Sequence, residues 1–306
     1  MKLHHFQEIV AIAEQGSIRA AARHLGVAQP ALTRSLAELE REFGVALFER
    51  RSRGVVATEL GKAFVFRAAS IVQEIRRARE EVDQLRGVAG GTVSAGLSIA
   101  AHLAFLPSAL KPFRARYDRV MLHIIEGYYP SLEAGLREGR LDFYIGPSPG
   151  QKIASELNKE VIADNRRVVI ARSGHPLAAA TSLRQLSGAA WATTLTAAGE
   201  KDEIGQVFSK YRLPAPKLVL QSQSALTLLT CLSHSDLLAL VPAQWRQFPL
   251  APGLLTVVPV EEEMDAPPIV AIKRADLPLT PAATYLLDLL RRAASHQKPM
   301  PKVRNA

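Results

Sequence analysis

The sequence has a single cysteine, Cys231, in 306 residues, and aromatic residues make up only 6% of it. One thiol excludes a disulfide framework and any zinc site built on cysteines. No stretch approaches the roughly 18 consecutive apolar residues of a membrane span. The opening MKLHHFQEIVAIAEQGS places Glu8 and Glu14 inside its apolar pattern, so it lacks the uninterrupted apolar core of a secretion signal. A cytoplasmic location is expected, with the thiol reduced. Enzyme signatures are missing too: there is no P-loop, no G-x-G-x-x-G after a strand and no H-E-x-x-H. Neither enzymatic activity nor a cofactor is expected. His4-His5 has no carboxylate or cysteine cluster beside it, so no metal role is assigned.

What is present is enough for well-packed domains. Apolar residues make up 48% of the chain, and the length suggests about two domains. Lys and Arg number 38 against 29 Asp and Glu, a formal charge of +9. That surplus makes nucleic acid or an anionic surface a candidate partner, but it is not concentrated near the start. Residues 1–88 hold 14 basic and 11 acidic side chains, while 291–306 hold five basic and none acidic. Placement carries more than the total. The Pro- and Lys-rich tail HQKPMPKVRNA is expected to be disordered.

Residues 1–58 read as three short helices and a wing. Leu3, Phe6, Ile9, Val10 and Ala13 recur at helical spacing up to Gly16. Ser17 caps a second helix, Ile18 to Leu25, closed by Gly26. Pro30 suits the first position of a third helix, in which Leu32, Leu36, Leu39 and Phe43 form one apolar stripe. An alanine-rich helix, a tight turn and a further helix make the helix-turn-helix pattern. LFERRSRGVVAT adds a hairpin wing with Arg50, Arg51 and Arg53. Gln29, Thr33 and Arg34 lie near the end of the third helix that enters a major groove in such proteins. Glutamine pairs bidentately with adenine and arginine with guanine. Ser17 and the wing arginines suit phosphate and minor-groove contact. Each of these alone also fits an ordinary solvated surface.

Within a linker of residues 59–87, Glu59 to Arg86 predict one long helix spanning about 42 Å. From Ala68 through Ile71, Ile75, Ala78, Val82 and Leu85 the spacing alternates 3 and 4, which is a heptad seam for a second copy, with a surface helix lying on the same chain as the competing reading. Arg76, Arg77 and Arg79 are assigned to the solvated faces. Past the GVAGG break, residues 91–306 alternate strands and helices. That predicts two α/β lobes with mostly parallel sheets, lobe one about 91–162 and 267–296, lobe two about 163–266. No internal repeat is visible.

The stretch FQEIVAIAEQGSIRAAARHLGVAQPALTRSLAELEREFGVALFER resembles the DNA-binding domain of LysR-type transcriptional regulators. Gly16, Ser17, Ala20, Ala21, Leu25, Gln29, Pro30, Ala31, Leu32 and Thr33 match the family's signature. The resemblance extends over the whole chain. It implies a winged helix-turn-helix, a linker-helix dimer, and a two-lobed effector domain like a periplasmic binding protein. It also implies a homotetramer, promoter DNA and a small-molecule effector as partners, and leaves contact with RNA polymerase open. Phrases such as LPSALKPFRARY and EGYYPSL are most similar to regulators of aromatic sulfonate or aromatic acid degradation.

In two-lobed α/β domains, ligands bind beyond the carboxyl ends of strands and at helix N-termini. Candidates are Ser98, Ile99, Ala100 and His102 after the first strand, Tyr129 after the second, and Gly146-Pro147 after the third. Lobe two offers Thr194, Gln223 and Ser224. Ser98 and Ser224 equally fit plain helix caps, and His102 fits a surface histidine. A solute-binding protein and an architectural DNA protein without ligand are the competing readings.

Overall fold

A computed structural model of the chain describes residues 1–52, 54–87, 90–194, 203–222, 224–247 and 253–296. Arg53, Gln223 and the tail from residue 297 lie outside them. The chain divides into two compact units, one of Met1–Gly91 with Ala134–Leu141, the other of Thr92–Glu133 with Asp142–Ala306.

The first unit opens with α1 (Leu3–Gln15), α2 (Ile18–Leu25) and α3 (Gln29–Phe43). Gly16, Gly26 and Gly44 close the three helices at φ near +61°, +68° and +69°, a left-handed end that glycine adopts without steric cost. α3 starts at Gln29, one residue before the expected Pro30. Ala21 and Ala22 are buried and let α2 approach the cluster of Ile9, Ile12, Leu32, Leu36 and Leu39. The wing is an antiparallel pair, β1 (Phe48–Arg51) and β2 (Gly54–Ala57). Glu40 fixes its entry by accepting the Leu47 and Phe48 amides at 2.7 and 3.1 Å. A Cβ at Gly61 would stand 1.9 Å from the Leu47 carbonyl oxygen, so only glycine permits this approach.

Thr58 caps α4 (Glu59–Leu85), its hydroxyl accepting the Gly61 amide at 2.9 Å. Ile71, Val82 and Leu85 of the heptad seam are exposed in the single chain. Arg77 departs from expectation: it is buried rather than solvated. Its guanidinium meets Glu74 at 2.9 Å and donates to the carbonyls of Gly139 at 2.9 Å and Leu141 at 3.3 Å. The segment 134–141 in the same unit supplies those carbonyls, so the helix uses this charge to hold backbone instead of facing water.

Among the described residues the second unit contains two five-stranded sheets. Lobe one is ordered β4-β3-β5-β12-β6, from β3 (Thr92–Leu97), β4 (Met121–Glu126), β5 (Phe143–Pro147), β6 (Leu157–Ala163) and β12 (Ile269–Arg274). Lobe two is ordered β9-β8-β10-β7-β11, from β7 (Arg167–Arg172), β8 (Ala190–Thr194), β9 (Lys217–Ser222), β10 (Leu237–Pro242) and β11 (Leu255–Val258). The expectation of mostly parallel sheets needs correction. In each lobe two strand pairs are parallel and two antiparallel. The chain passes between lobes near the Arg166–Asp265 bridge. A strand arriving from the other lobe enters from the opposite end, so β12 and β7 run against their neighbours.

Lobe one carries α5 (Ile99–Ala104), α6 (Leu106–Arg116), the start of α7 (Tyr129–Arg137), which from Ala134 onward belongs to the first unit, and α10 (Pro281–Ser295). α5 and α6 are separated by a break at Phe105, because Pro107 lacks the amide to continue the hydrogen-bond ladder. Lobe two carries α8 (Glu203–Lys210), α9 (Ala225–Ser233) and a 3-10 turn at Ala243–Gln247.

Candidate DNA-reading helix and effector pocket

The first turns of α3 place Gln29, Pro30 and Arg34 on the surface, with Thr33 half-buried among them. The Thr33 hydroxyl donates to the Gln29 carbonyl at 3.0 Å, so it is engaged within the helix. The unpaired amides and positive dipole end of a helix N-terminus favour an anion such as phosphate. Ser17 caps α2, accepting the Ala20 amide at 3.4 Å. Arg50 and Arg51 are exposed on β1, and Arg51 meets Glu49 at 2.8 Å. Both partners of that pair are more than half exposed, so the contact is worth little and yields readily to a phosphate. Burial pushes the His5 imidazole below its ordinary pKa, with His4 adding to the effect, and its Nδ1 accepts the Lys2 amide at 3.3 Å.

In the second unit, α5 follows directly on β3, and α5 packs against the turn that follows β10. The carboxyl ends of the parallel strands of both sheets therefore face one another. Ser98 is buried there, its hydroxyl accepting the Ala101 amide at 3.4 Å and its own amide donating to Ile145 at 2.9 Å. The expected cap is present at Ser98. Tyr129 begins α7 and is buried, its ring edge-on to Tyr144 at 6.2 Å between centroids. Gly146 and Pro147 end β5 beside Ser98: a Cβ on Gly146 would lie 2.8 Å from that of Ser98. His102 Nδ1 lies 3.1 Å from the Ser98 carbonyl oxygen, so it serves its own helix.

Ile99 and Ala100 differ from the other candidates. Their side chains enter apolar clusters, Ala100 in the core of lobe one and Ile99 among Val168, Ile170, Leu228 and Trp245 of lobe two. Only their first-turn amides are suited to a polar ligand. Lobe two brings less together. Ser224 is an exposed cap accepting the Thr227 amide at 3.3 Å. Thr194 ends β8, and its side chain lies outside the described set, as does Gln223.

Sequence reasoning missed three residues. Tyr144 is buried within a strand and reads as core. Asp142 holds the Ser94 amide at 2.8 Å and so fixes β5 against β3. Arg167 is buried at the start of β7, opposite Pro242, and grips Glu203 through two bonds of 2.6 and 2.9 Å. A paired carboxylate 36 residues away leaves no local spacing signal.

Residues 3–62 match the family model described as bacterial regulatory helix-turn-helix protein, lysR family, and residues 86–295 match the LysR substrate binding domain. Among curated proteins, the chain is 25% identical to the HTH-type transcriptional regulator TdcA of Escherichia coli K12, covering 95% of this chain and 92% of that one. Full-length OxyR of Pseudomonas aeruginosa shares the fold at TM-score 0.72 and 22% identity, over 98% of this chain and 99% of that one. CbnR, solved in full length with its target DNA, does so at TM-score 0.69 and 20% identity, over 96% and 100%. Among the described residues, no helix is long and apolar enough to cross a membrane.

Proposed function

The chain belongs to the LysR family of DNA-binding transcriptional regulators with a substrate-binding effector domain, and is not an enzyme; on that premise we propose that a small aromatic carboxylate or sulfonate, bound between the two lobes, controls its promoter binding. The observation that carries this reading is the convergence of Ser98, Tyr129 and Gly146 at the strand ends of lobe one. Buried hydroxyls and first-turn amides suit an anionic oxygen, and buried aromatic rings suit an aromatic body. The similarity of the phrases LPSALKPFRARY and EGYYPSL to regulators of aromatic sulfonate or aromatic acid degradation supports the same reading.

In this proposal residues 1–58 read DNA, 59–87 join two copies, and 91–306 sense the effector. Gln29, Pro30, Thr33 and Arg34 face base edges, while Ser17, Arg50, Arg51 and Arg53 hold phosphate or the minor groove. The exposed seam of Ile71, Val82 and Leu85 supports pairing of two linker helices, and pairs of dimers make a cytoplasmic homotetramer. The effector shifts an equilibrium between oligomer geometries through its different affinity for each.

Footprinting and a ligand panel test the two halves separately. Arg34→Ala weakens specific binding by about 1–3 kcal/mol and leaves non-specific binding nearly unchanged. An unchanged operator preference would remove the recognition assignment. Aromatic carboxylates or sulfonates raise the melting temperature of the full chain. No shift across the panel would remove the aromatic effector class, and no shift with any metabolite would favour an architectural DNA protein.

A further inference from the structure

We propose that Tyr144 is a specificity-determining residue of the effector pocket, its ring forming a floor that admits one-ring effectors and rejects two-ring ones. The inference rests on the lobe-one pocket described above. Along β5 the side chains alternate. Phe143 and Ile145 enter the lobe-one core with Val93, Leu97 and Phe113. Tyr144 and Gly146 therefore share the opposite face of the strand, where the Tyr129 ring lies edge-on to Tyr144.

The Tyr144 side chain does not stand straight out from the sheet. It leans along the strand, and its hydroxyl donates to the Pro147 carbonyl at 3.3 Å. That course carries it across Gly146. A Cβ at Gly146 would meet the Tyr144 hydroxyl oxygen at 2.1 Å, Cζ at 2.4 Å and the Ser98 Cβ at 2.8 Å. The phenol head thus occupies the space that a side chain at 146 would otherwise fill, beside Ser98. Glycine at 146 is what makes room for it, since any other residue would collide with the ring or with Ser98.

The ring is fully buried, so this volume is closed to ligand as the chain stands. A small residue at 144 would extend the pocket by about one ring. Because the head group is tied to Pro147 at the end of β5, the floor is held in place and does not swing aside. Volume, more than hydroxyl chemistry, sets the selectivity.

The test uses the full chain with benzoate, p-toluenesulfonate and 2-naphthoate as probes, read by titration calorimetry. The wild type binds a one-ring probe and rejects 2-naphthoate. Tyr144→Ala lowers the 2-naphthoate to benzoate ratio of dissociation constants at least about tenfold, since even one methylene discriminates by about 10–200-fold. Tyr144→Phe keeps the wild-type ranking, because it keeps the ring. Tyr144→Leu replaces the alanine variant if that fails to fold. Equal preferences in the wild type and the small variant would overturn the proposal.

If the wild type binds none of the three, the effector class is wrong, and 4-hydroxybenzoate then decides the role of Tyr144. Its phenol refills the vacated space while its carboxylate must sit in the pocket, because a charge does not enter a sealed core. Stabilisation of Tyr144→Ala by this probe, without effect on the wild type or on Phe113→Ala, upholds the floor. No stabilisation of Tyr144→Ala means that the ring is walled into the core, and the proposal falls.

Discussion

In both lobes of the second unit four strands run in one direction and a fifth, β12 or β7, runs against them, yet the strand ends of the two lobes differ. Lobe one has one apolar cluster, and its strand ends bring Ser98, Tyr129, Tyr144 and Gly146 together as buried hydroxyls over a glycine. Among the described residues lobe two has two clusters, and the second is completed by Ile99 from lobe one. At its cleft end lies the Arg167–Glu203 pair, and its cap Ser224 is exposed. A shared topology fixes where a cleft falls. The residues at the strand ends differ between the lobes, buried hydroxyls in one and an ion pair with an exposed cap in the other.

The largest expected break in this contrast comes from lobe two's buried charge. Arg167→Ala strands the Glu203 carboxylate and destabilises the chain by roughly 3 kcal/mol in denaturant unfolding. The double replacement Arg167→Met with Glu203→Leu recovers most of that loss, because apolar groups of similar volume need no partner. A single-variant cost below about 1 kcal/mol would mean that the pair does not hold lobe two.

Ile99→Ala comes next. It removes a lobe-one side chain from a lobe-two cluster, at a cost of about 2–4 kcal/mol. Hydrogen exchange locates the loss: amides of β10 and α9 lose protection alongside those of α5. Loosening of α5 alone would show that the lobes are not joined through this residue.

The smallest effects compare the two caps. Ser224→Ala costs about 0.5–1 kcal/mol, as an exposed cap should, and leaves effector affinity unchanged. Ser98→Ala costs about 1–2 kcal/mol and also weakens effector binding. Calorimetry of both variants gives the comparison, and equal binding losses would return the pocket to lobe two.

The reading of the first unit from sequence worked where spacing was local. Gly16, Ser17, Gly26 and the Leu32-Leu36-Leu39 stripe each act within a few residues, and all three helices lie where that spacing put them. Arg77 escaped because its partners are the carbonyls of Gly139 and Leu141, more than 60 residues on, and nothing about its neighbours distinguishes it from Arg76 or Arg79. The common topology of the lobes was equally invisible. β12 and β7 complete their sheets only after the chain has crossed between lobes, so the likeness lies in pairing and leaves no repeated sequence. Ser98 and Gly146 were identifiable as strand ends. Tyr144 was not, since a tyrosine inside LDFYIG looks like core until its ring is seen lying over Gly146.

The most direct test is electron density in crystals of the full chain grown with benzoate or p-toluenesulfonate. Density with its anionic end at Ser98 and the first turn of α5, and its ring against Tyr129 and Tyr144, is the predicted result. Ordered ligand held by the β9–α9 turn, with the space beside Ser98 empty, would contradict the assignment of the pocket to lobe one.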